Sequence, residues 1–511
     1  MEKVSRMSSH SREIAERASV VAGATLLSRI LGFVRDMIIA FALGAGPLAD
    51  AFFVAFRIPN LLRRLFAEGS LTMAFVPIFA RAREEQGLEE AFTFTRSALA
   101  WLLIVLGLLV AGGLAAARGI TWLIAPGFTE DPALFDFTVR LVRICLPYIL
   151  FISAVALCMG FLNALGHFLA PALAPCVLNV ALIAAALIAV WSEAGVAVYL
   201  SGGVLVGGLG QWLLQQPFLR RQGLSWRGSW SLRNREVIRM GWLMLPTVLG
   251  AAVYQLSIII NTMLASFLAK GSISYLYYAD RLVQFPLGVF GLAVSTAALP
   301  SFSKLAARRE NEEFVQTLNA SLGLTLFISL PAAAGLMGLA VPLVQTLFGW
   351  GAFGAVSVEA TALALAGYAI GLPAFSCVRN LVSAYYALKD SRTPVIVASV
   401  SLMVNVALGL ALMQLLAHVG LALAVSLASW ANILLLAFLL RRRLSPWFEW
   451  RTGYPAMVGL SLAVGLGSWA TSAWGWPALL CIPLWAGGYL GTAFWLRMPE
   501  ARMIADMIRR R

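Results

Sequence analysis

The sequence predicts an all-α polytopic membrane protein of about 14 transmembrane helices, in two parallel-repeat six-helix lobes plus two C-terminal helices. Three observations carry this reading. Hydrophobic residues make up 60% of the chain and charged ones 12%, with a mean hydropathy of +0.84, so most of the surface meets something other than water. Apolar stretches of about 20 residues, long enough to cross a bilayer, recur from end to end. Segments in the two halves match each other at one fixed offset.

The apolar stretches centre near residues 30, 62, 105, 150, 180, 208, 253, 288, 328, 372, 404, 430, 463 and 486. Strict alternation of the barrel type is absent, so helices must satisfy the backbone within each span. The first stretch, from Ala18 to Gly44, contains "SRILGFVRD" (28–36). Arg29 and Arg35 interrupt its apolar core and no small-residue cleavage pattern follows, so it is expected to stay in the membrane and not to be a cleaved signal. The second, "ADAFFVAFRIPNLLRRLFAEGSLTMAFVP" (49–77), reads as one long helix.

The repeat has a period of 223 residues. "AFVPIFARAREE" (74–85) resembles "AALPSFSKLAARRE" (297–310), with Pro77 opposite Pro300. "FLNALGHFLAP" (161–171) resembles "AYYALKDSRTP" (384–394), with Pro171 opposite Pro394. Two pairs at one spacing point to a duplication. The expected organisation is an N-terminal lobe at 1–225, a C-terminal lobe at 226–445, and two further helices with a tail at 446–511. Six spans per lobe make the repeat parallel, as in transporters that bind substrate between lobes and rock to expose it alternately.

The net charge of +14 would suggest nucleic acid in a soluble protein, but its distribution gives another explanation. Basic residues cluster in alternate connections: Lys3 to Arg17, Arg81 and Arg83, Arg220 to Arg239, Lys304 to Arg309, Lys389 and Arg392, Arg441 to Arg443, and Arg509 to Arg511. The loops at 45–49, 192–196 and 349–357 carry almost none. This positive-inside pattern places both termini in the cytoplasm and implies no nucleic-acid partner.

Cys145, Cys158, Cys176, Cys377 and Cys481 have no metal or redox spacing and read as small core residues. His10, His167 and His418 fall in the tail and at loop positions. With no adjacent acid pair in the spans and no HExxH or GxSxG motif, a membrane enzyme is disfavoured. Asn261, Asn405 and Asn432 are intramembrane polar groups, and hydrogen bonding between helices is the commoner use of such residues.

The charges inside spans call for a purpose, because an arginine at a helix centre costs about 3 kcal/mol on insertion scales. At about 100° per residue, Arg57, Asn60, Arg64 and Glu68 share one stripe, with Arg63 beside it. On one continuous helix, Arg63 and Arg64 stand too far from both Pro47 and Arg81 to reach either surface, whereas Arg140 and Arg143 sit nearer an outer boundary and can snorkel. Arg29, Arg35, Arg57, Arg63 and Arg64 outnumber Asp36, Asp50 and Glu68 by two. Surplus buried positive charge requires water or an anion. In the second lobe "SISYLYYADRLVQFP" (272–286) groups Asp280, Arg281 and Gln284, with Asp280 expected to orient the Arg281 guanidinium. Arginine forks match phosphate oxygens in pairs, so the expected substrate is a phosphate-bearing anion with a lipid tail.

"SRILGFVRD", "ADAFFVAFRIPNLLRRLFAEGSLTMAFVPIFAR" and "YYADRLVQFPLGVFG" resemble signature segments of the MurJ (MviN) family of bacterial lipid II flippases in the MOP exporter superfamily. The resemblance implies transport of an undecaprenyl-diphosphate-linked disaccharide-pentapeptide to the outer leaflet for peptidoglycan synthesis, without a cofactor or a metal. It implies cavity roles for Arg29, Arg35, Asp36, Arg63 and Arg281. By the same resemblance the two appended helices form a groove for the polyprenyl tail. Several relatives carry a glutamate where this chain has Gln284, which argues against a proton-linked role there. Partners implied are lipid II, membrane lipids and cell-wall synthesis proteins. The nearest alternative is a MOP-type flippase for a different polyprenyl-diphosphate-linked glycan. A cation antiporter would line its cavity with acids.

Overall fold

The computed structural model describes residues 2–66, 70–288, 292–444 and 453–509. These residues are helices joined by short turns, and they fall into two compact units, Met1–Leu256 and Ser257–Arg511.

The first unit contains α1 (Glu2–Leu43), α2 (Pro47–Phe66), α3 (Ser70–Glu85), α4 (Leu88–Ala115), α5 (Ala117–Ile124), a 3-10 turn (Pro126–Glu130), α6 (Pro132–Cys145), α7 (Tyr148–Ala164), α8 (Leu169–Trp191) and α9 (Val196–Arg221). It also holds the first part of α10 (Arg235–Ser266), within which the division between units falls. The second unit continues with α11 (Ser272–Pro286), α12 (Leu292–Arg308), α13 (Asn311–Gly338), α14 (Ala340–Phe348), α15 (Ala355–Ala369), α16 (Leu372–Ala387), α17 (Arg392–Arg441), α18 (Gly453–Ala473), α19 (Ala478–Trp495) and α20 (Pro499–Arg509).

The period read from two short matches governs the helix boundaries. α4 and α13 begin and end 223 residues apart; α5 and α14, α6 and α15, and α8 and α17 begin at the same offset. Packing repeats too: α3 touches α4 and α7 as α12 touches α13 and α16, and α2 packs on α6 as α11 packs on α15. Phe79 and Phe302, one period apart, are both fully buried, each in a hydrophobic core of its unit. Around Phe79 the rings of Phe75 and Phe161 lie 5.6 and 5.2 Å away, close van der Waals packing of the kind that holds helices together where lipid removes the hydrophobic incentive.

Among the described residues, nine helical stretches are long and apolar enough to cross a membrane by length and composition. One of them, Arg392–Arg441, is two helices merged across a kink at Ala417 (φ 47°), covering the expected centres near 404 and 430. Other expected centres lie on α1, α2 and α10, whose charges or shorter apolar runs keep them outside that composition test. The expected second and eighth spans fall on α2 and α3 in one unit and on α11 and α12 in the other, and residues 67–69 and 289–291 between the members of each pair lie outside the described residues.

Local chemistry sets the ends that matter. Pro132 opens α6 behind Asp131, whose Oδ1 accepts a hydrogen bond from the Leu134 amide at 3.1 Å. Asp50 stands in the first turn of α2, where a carboxylate complements the helix dipole. α18 lies tightly on α13, where a Cβ at Gly338 would overlap the Gly465 carbonyl oxygen, so only glycine permits that approach. The five cysteines are buried free thiols, in keeping with their reading as core residues.

Candidate anion-handling sites in the two units

In the first unit, α1 supplies Arg29, Arg35 and Asp36 because the sequence places all three in the part of the helix that packs on α8. The Arg35 side chain is 12% exposed and that of Asp36 3%. Arg35 Nη2 and Nε both donate to Asp36 Oδ1, at 2.7 and 3.0 Å. Its Nη1 donates to Asn179 Oδ1 of α8 at 3.0 Å, and Asn179 Nδ2 donates in turn to the Ser28 carbonyl, also at 3.0 Å. Arg35 is therefore neutralised and clamped from two helices. Arg29, one turn and a half earlier, is exposed and makes no hydrogen bond or ion pair among the described residues.

On α2, Asp50 is buried and Arg57 half-buried, and both take part in polar contacts. Arg63 Nε donates to Asn60 Oδ1 at 3.1 Å, the (i, i+3) contact that helix geometry favours. Arg64 is half-buried with no hydrogen bond or ion pair among the described residues. Glu68, the fourth member of the stripe, lies outside the described residues.

In the second unit, α11 carries the other predicted group. Arg281 is half-buried, with its Nη2 donating to the Tyr277 hydroxyl at 3.0 Å and its guanidinium carbon 4.7 Å from the centre of the Tyr277 ring. Asp280 Oδ2 accepts from Gln284 Nε2 at 2.7 Å. Tyr277, one turn earlier on the same face, thus steadies Arg281, and Asp280 holds Gln284. Asn405 Nδ2 donates to Asn261 Oδ1 at 3.2 Å, joining α17 to α10 in the interhelical use expected of these amides. Among the described residues no group of three metal-ligating side chains occurs.

Residues 39–484 match the family described as lipid II flippase MurJ. The chain belongs to the MurJ lipid II flippase family. It is 40% identical over 431 residues to the lipid II flippase MurJ of Burkholderia cenocepacia, covering 83% of each chain. Its fold superposes on a solved lipid II flippase MurJ in an inward-closed conformation with a TM-score of 0.77, at 26% identity, covering 93% of this chain and 98% of that one. It also shares its fold with a multidrug-resistance MATE transporter of the MOP superfamily in an inward-facing conformation, with a TM-score of 0.69 at 14% identity. Membership of the MurJ family makes the chain a multi-pass membrane protein of a transporter family.

Two residues of this MurJ-family chain escaped the sequence reading. Tyr277 was legible, since it stands four residues before Arg281 on a helix and such pairs face each other. Asn179 was half legible. A lone amide in the apolar stretch 169–191 asks for a partner, but that partner is 144 residues away.

Proposed function

We propose that the chain flips lipid II, the undecaprenyl-diphosphate-linked disaccharide-pentapeptide, from the inner to the outer leaflet of the bacterial cytoplasmic membrane by alternating access, with both termini in the cytoplasm and no covalent change to the lipid. The lobes at 1–225 and 226–445 are the moving parts of this cycle, and the helices of 446–511 supply a berth for the polyprenyl tail. Family membership names the substrate. The observation that supports the headgroup assignment is the state of the arginines on α1: Arg35 is fixed by Asp36 and Asn179, and Arg29 beside it has no counter-charge among the described residues.

A guanidinium held in advance loses less freedom when it captures an anion, which is why a clamped arginine suits diphosphate recognition. In this reading Arg29, Arg35, Arg63 and Arg64 take the diphosphate, while Asp36, Asp50 and Arg57 set the orientation and local charge. Within the second unit, Arg281, steadied by Tyr277 and accompanied by Asp280, is the residue that meets the lipid headgroup. The buried carboxylates keep the charge surplus small, so that binding is reversible.

The test is reconstitution in liposomes with lipid II, reading the lipid accessible at the outer face. Arg63→Ala and Arg35→Ala are each expected to cut the flipping rate at least tenfold while the protein stays folded. Wild-type rates from both variants would remove the arginines from the mechanism. Covalent turnover of lipid II by the purified protein would replace transport with catalysis.

A further inference from the structure

A second basic cluster stands in the first unit, at the end of α4 opposite the Arg81 and Arg83 connection. α4 is 28 residues long, about 42 Å at the rise of a helix, so the orientation proposed above places this end at the outer face. Arg118 of α5 and Asp136, Arg140 and Arg143 of α6 line a cleft of about 530 Å³. Positions 136, 140 and 143 are spaced four and three apart and share one helix face.

Arg118 Nη1 reaches Asp136 Oδ1 at 2.7 Å and its guanidinium lies 5.3 Å from the Phe135 ring centre. Arg140 and Arg143 are exposed, and neither makes a hydrogen bond or ion pair among the described residues. Three guanidiniums against one carboxylate leave two positive charges. On the far side of Arg118 lies a cleft of about 500 Å³ bordered by Gly119, Trp122, Pro132 and Phe135, largely apolar. A cleft lined by four charged side chains and a largely apolar one thus share a single arginine.

That pairing fits an amphiphile better than a free anion. The surplus of two charges equals the charge of a diphosphate diester, whereas the single charge of a phospholipid phosphate leaves one arginine unmatched. We infer that this cleft is a second, outer site for the polyprenyl-diphosphate lipid, which it occupies after leaving the arginines of α1 and α2. The diphosphate sits on Arg140 and Arg143, and the first isoprene units lie over Trp122 and Phe135. Arg118, pinned between Asp136 and Phe135, divides the two. This inference rests on the flippase reading above, and the experiment separates the two.

The full chain is placed in phosphatidylcholine nanodiscs and titrated separately with lipid II and with phosphatidylglycerol, and bound lipids are counted by native mass spectrometry. Wild type is expected to retain two lipid II molecules at saturation, the R140Q/R143Q variant one, and Arg35→Ala one. Arg118→Gln, which removes the divider and one charge, is expected to weaken the second binding step at least fivefold. A thermal midpoint matching wild type confirms that each variant is folded. Saturation of wild type at one lipid II, or two retained by R140Q/R143Q, overturns the outer site and leaves the flippase reading standing. Phosphatidylglycerol bound by wild type and lost in R140Q/R143Q, with lipid II unaffected, also overturns it and makes the cleft a phospholipid seat. No lipid II bound by wild type would overturn the flippase reading, and the outer site with it.

Discussion

Replacing Asn179 by leucine tests whether Arg35 functions because it is held in place. The change keeps the branched side-chain shape while deleting two hydrogen bonds, one accepted from Arg35 Nη1 and one donated to the Ser28 carbonyl, both 3.0 Å long. Asn179 is only 5% exposed, so water cannot readily replace them. A hydrogen bond to a charged group contributes about 1.5–3 kcal/mol in soluble proteins, whereas polar contacts between membrane helices average about 0.6 and reach about 1.7. The ranges meet near 1.5 kcal/mol, which is the expected cost of leaving the guanidinium to be ordered by substrate. That corresponds to roughly tenfold weaker lipid II binding.

The assay is a double-mutant cycle on the lipid II Kd in nanodiscs, with Arg35→Ala, Asn179→Leu and the pair. If Asn179 acts through Arg35, its substitution weakens binding about tenfold in wild type and less than about twofold in the Arg35→Ala background, a coupling near 1.5 kcal/mol. Equal losses in both backgrounds would refute the positioning role. Wild-type affinity of Asn179→Leu alone would refute the claim that the clamp matters at all.

Three further expectations follow from the same geometry. Exporting a diphosphate carries two negative charges outward through an inside-negative potential, a gain of about 2.3 kcal/mol per charge per 100 mV; collapsing the potential in vesicles at constant pH should therefore slow net export, and undiminished export would exclude voltage as the drive. Tyr277→Phe deletes the hydroxyl that accepts from Arg281 but keeps the ring beneath the guanidinium, so lipid II flipping should fall by less than about fivefold, and Tyr277→Leu, which removes both, should fall further; equal rates for the two variants would deny the ring a role. At the start of α17, Asp390 pairs with Arg443 at 2.8 Å and accepts from the Thr393 hydroxyl and amide and the Arg392 amide. Burial alone would raise its carboxyl, but the hydrogen bonds from Thr393 and the Arg443 charge outweigh it and hold the group below its ordinary range. A depressed carboxylate stabilises the fold above that range and loses this contribution as pH falls through the depressed value. The amide-exchange protection factor at Thr393 should thus drop as pH falls below about 4 and should lose that dependence in Asp390→Asn, whereas a factor constant between neutral and acidic pH would contradict the assignment.

Much of the architecture was legible because it depends on short-range properties. Hydropathy marks spans, since every backbone group in lipid must be satisfied within its own helix. Two proline-aligned matches fixed a period that the helix ends of α4 and α13 reproduce to the residue. Which partner each buried polar side chain finds was not legible, because partners such as Arg35 and Asn179 stand 144 residues apart.

The chain alone determined that arginines outnumber acids within its first spans, that one of them stands beside an aspartate, and that Arg140 and Arg143 lie near an outer boundary. Charge count and helical spacing are properties of covalent order, and folding cannot change them. Only the tertiary structure decided which guanidiniums are satisfied. Asn179 reaches Arg35 because α8 packs on α1, and Arg118 meets Asp136 because α5 turns back toward α6. Partners far apart in sequence become neighbours through packing, and that packing depends on the shapes of many residues at once.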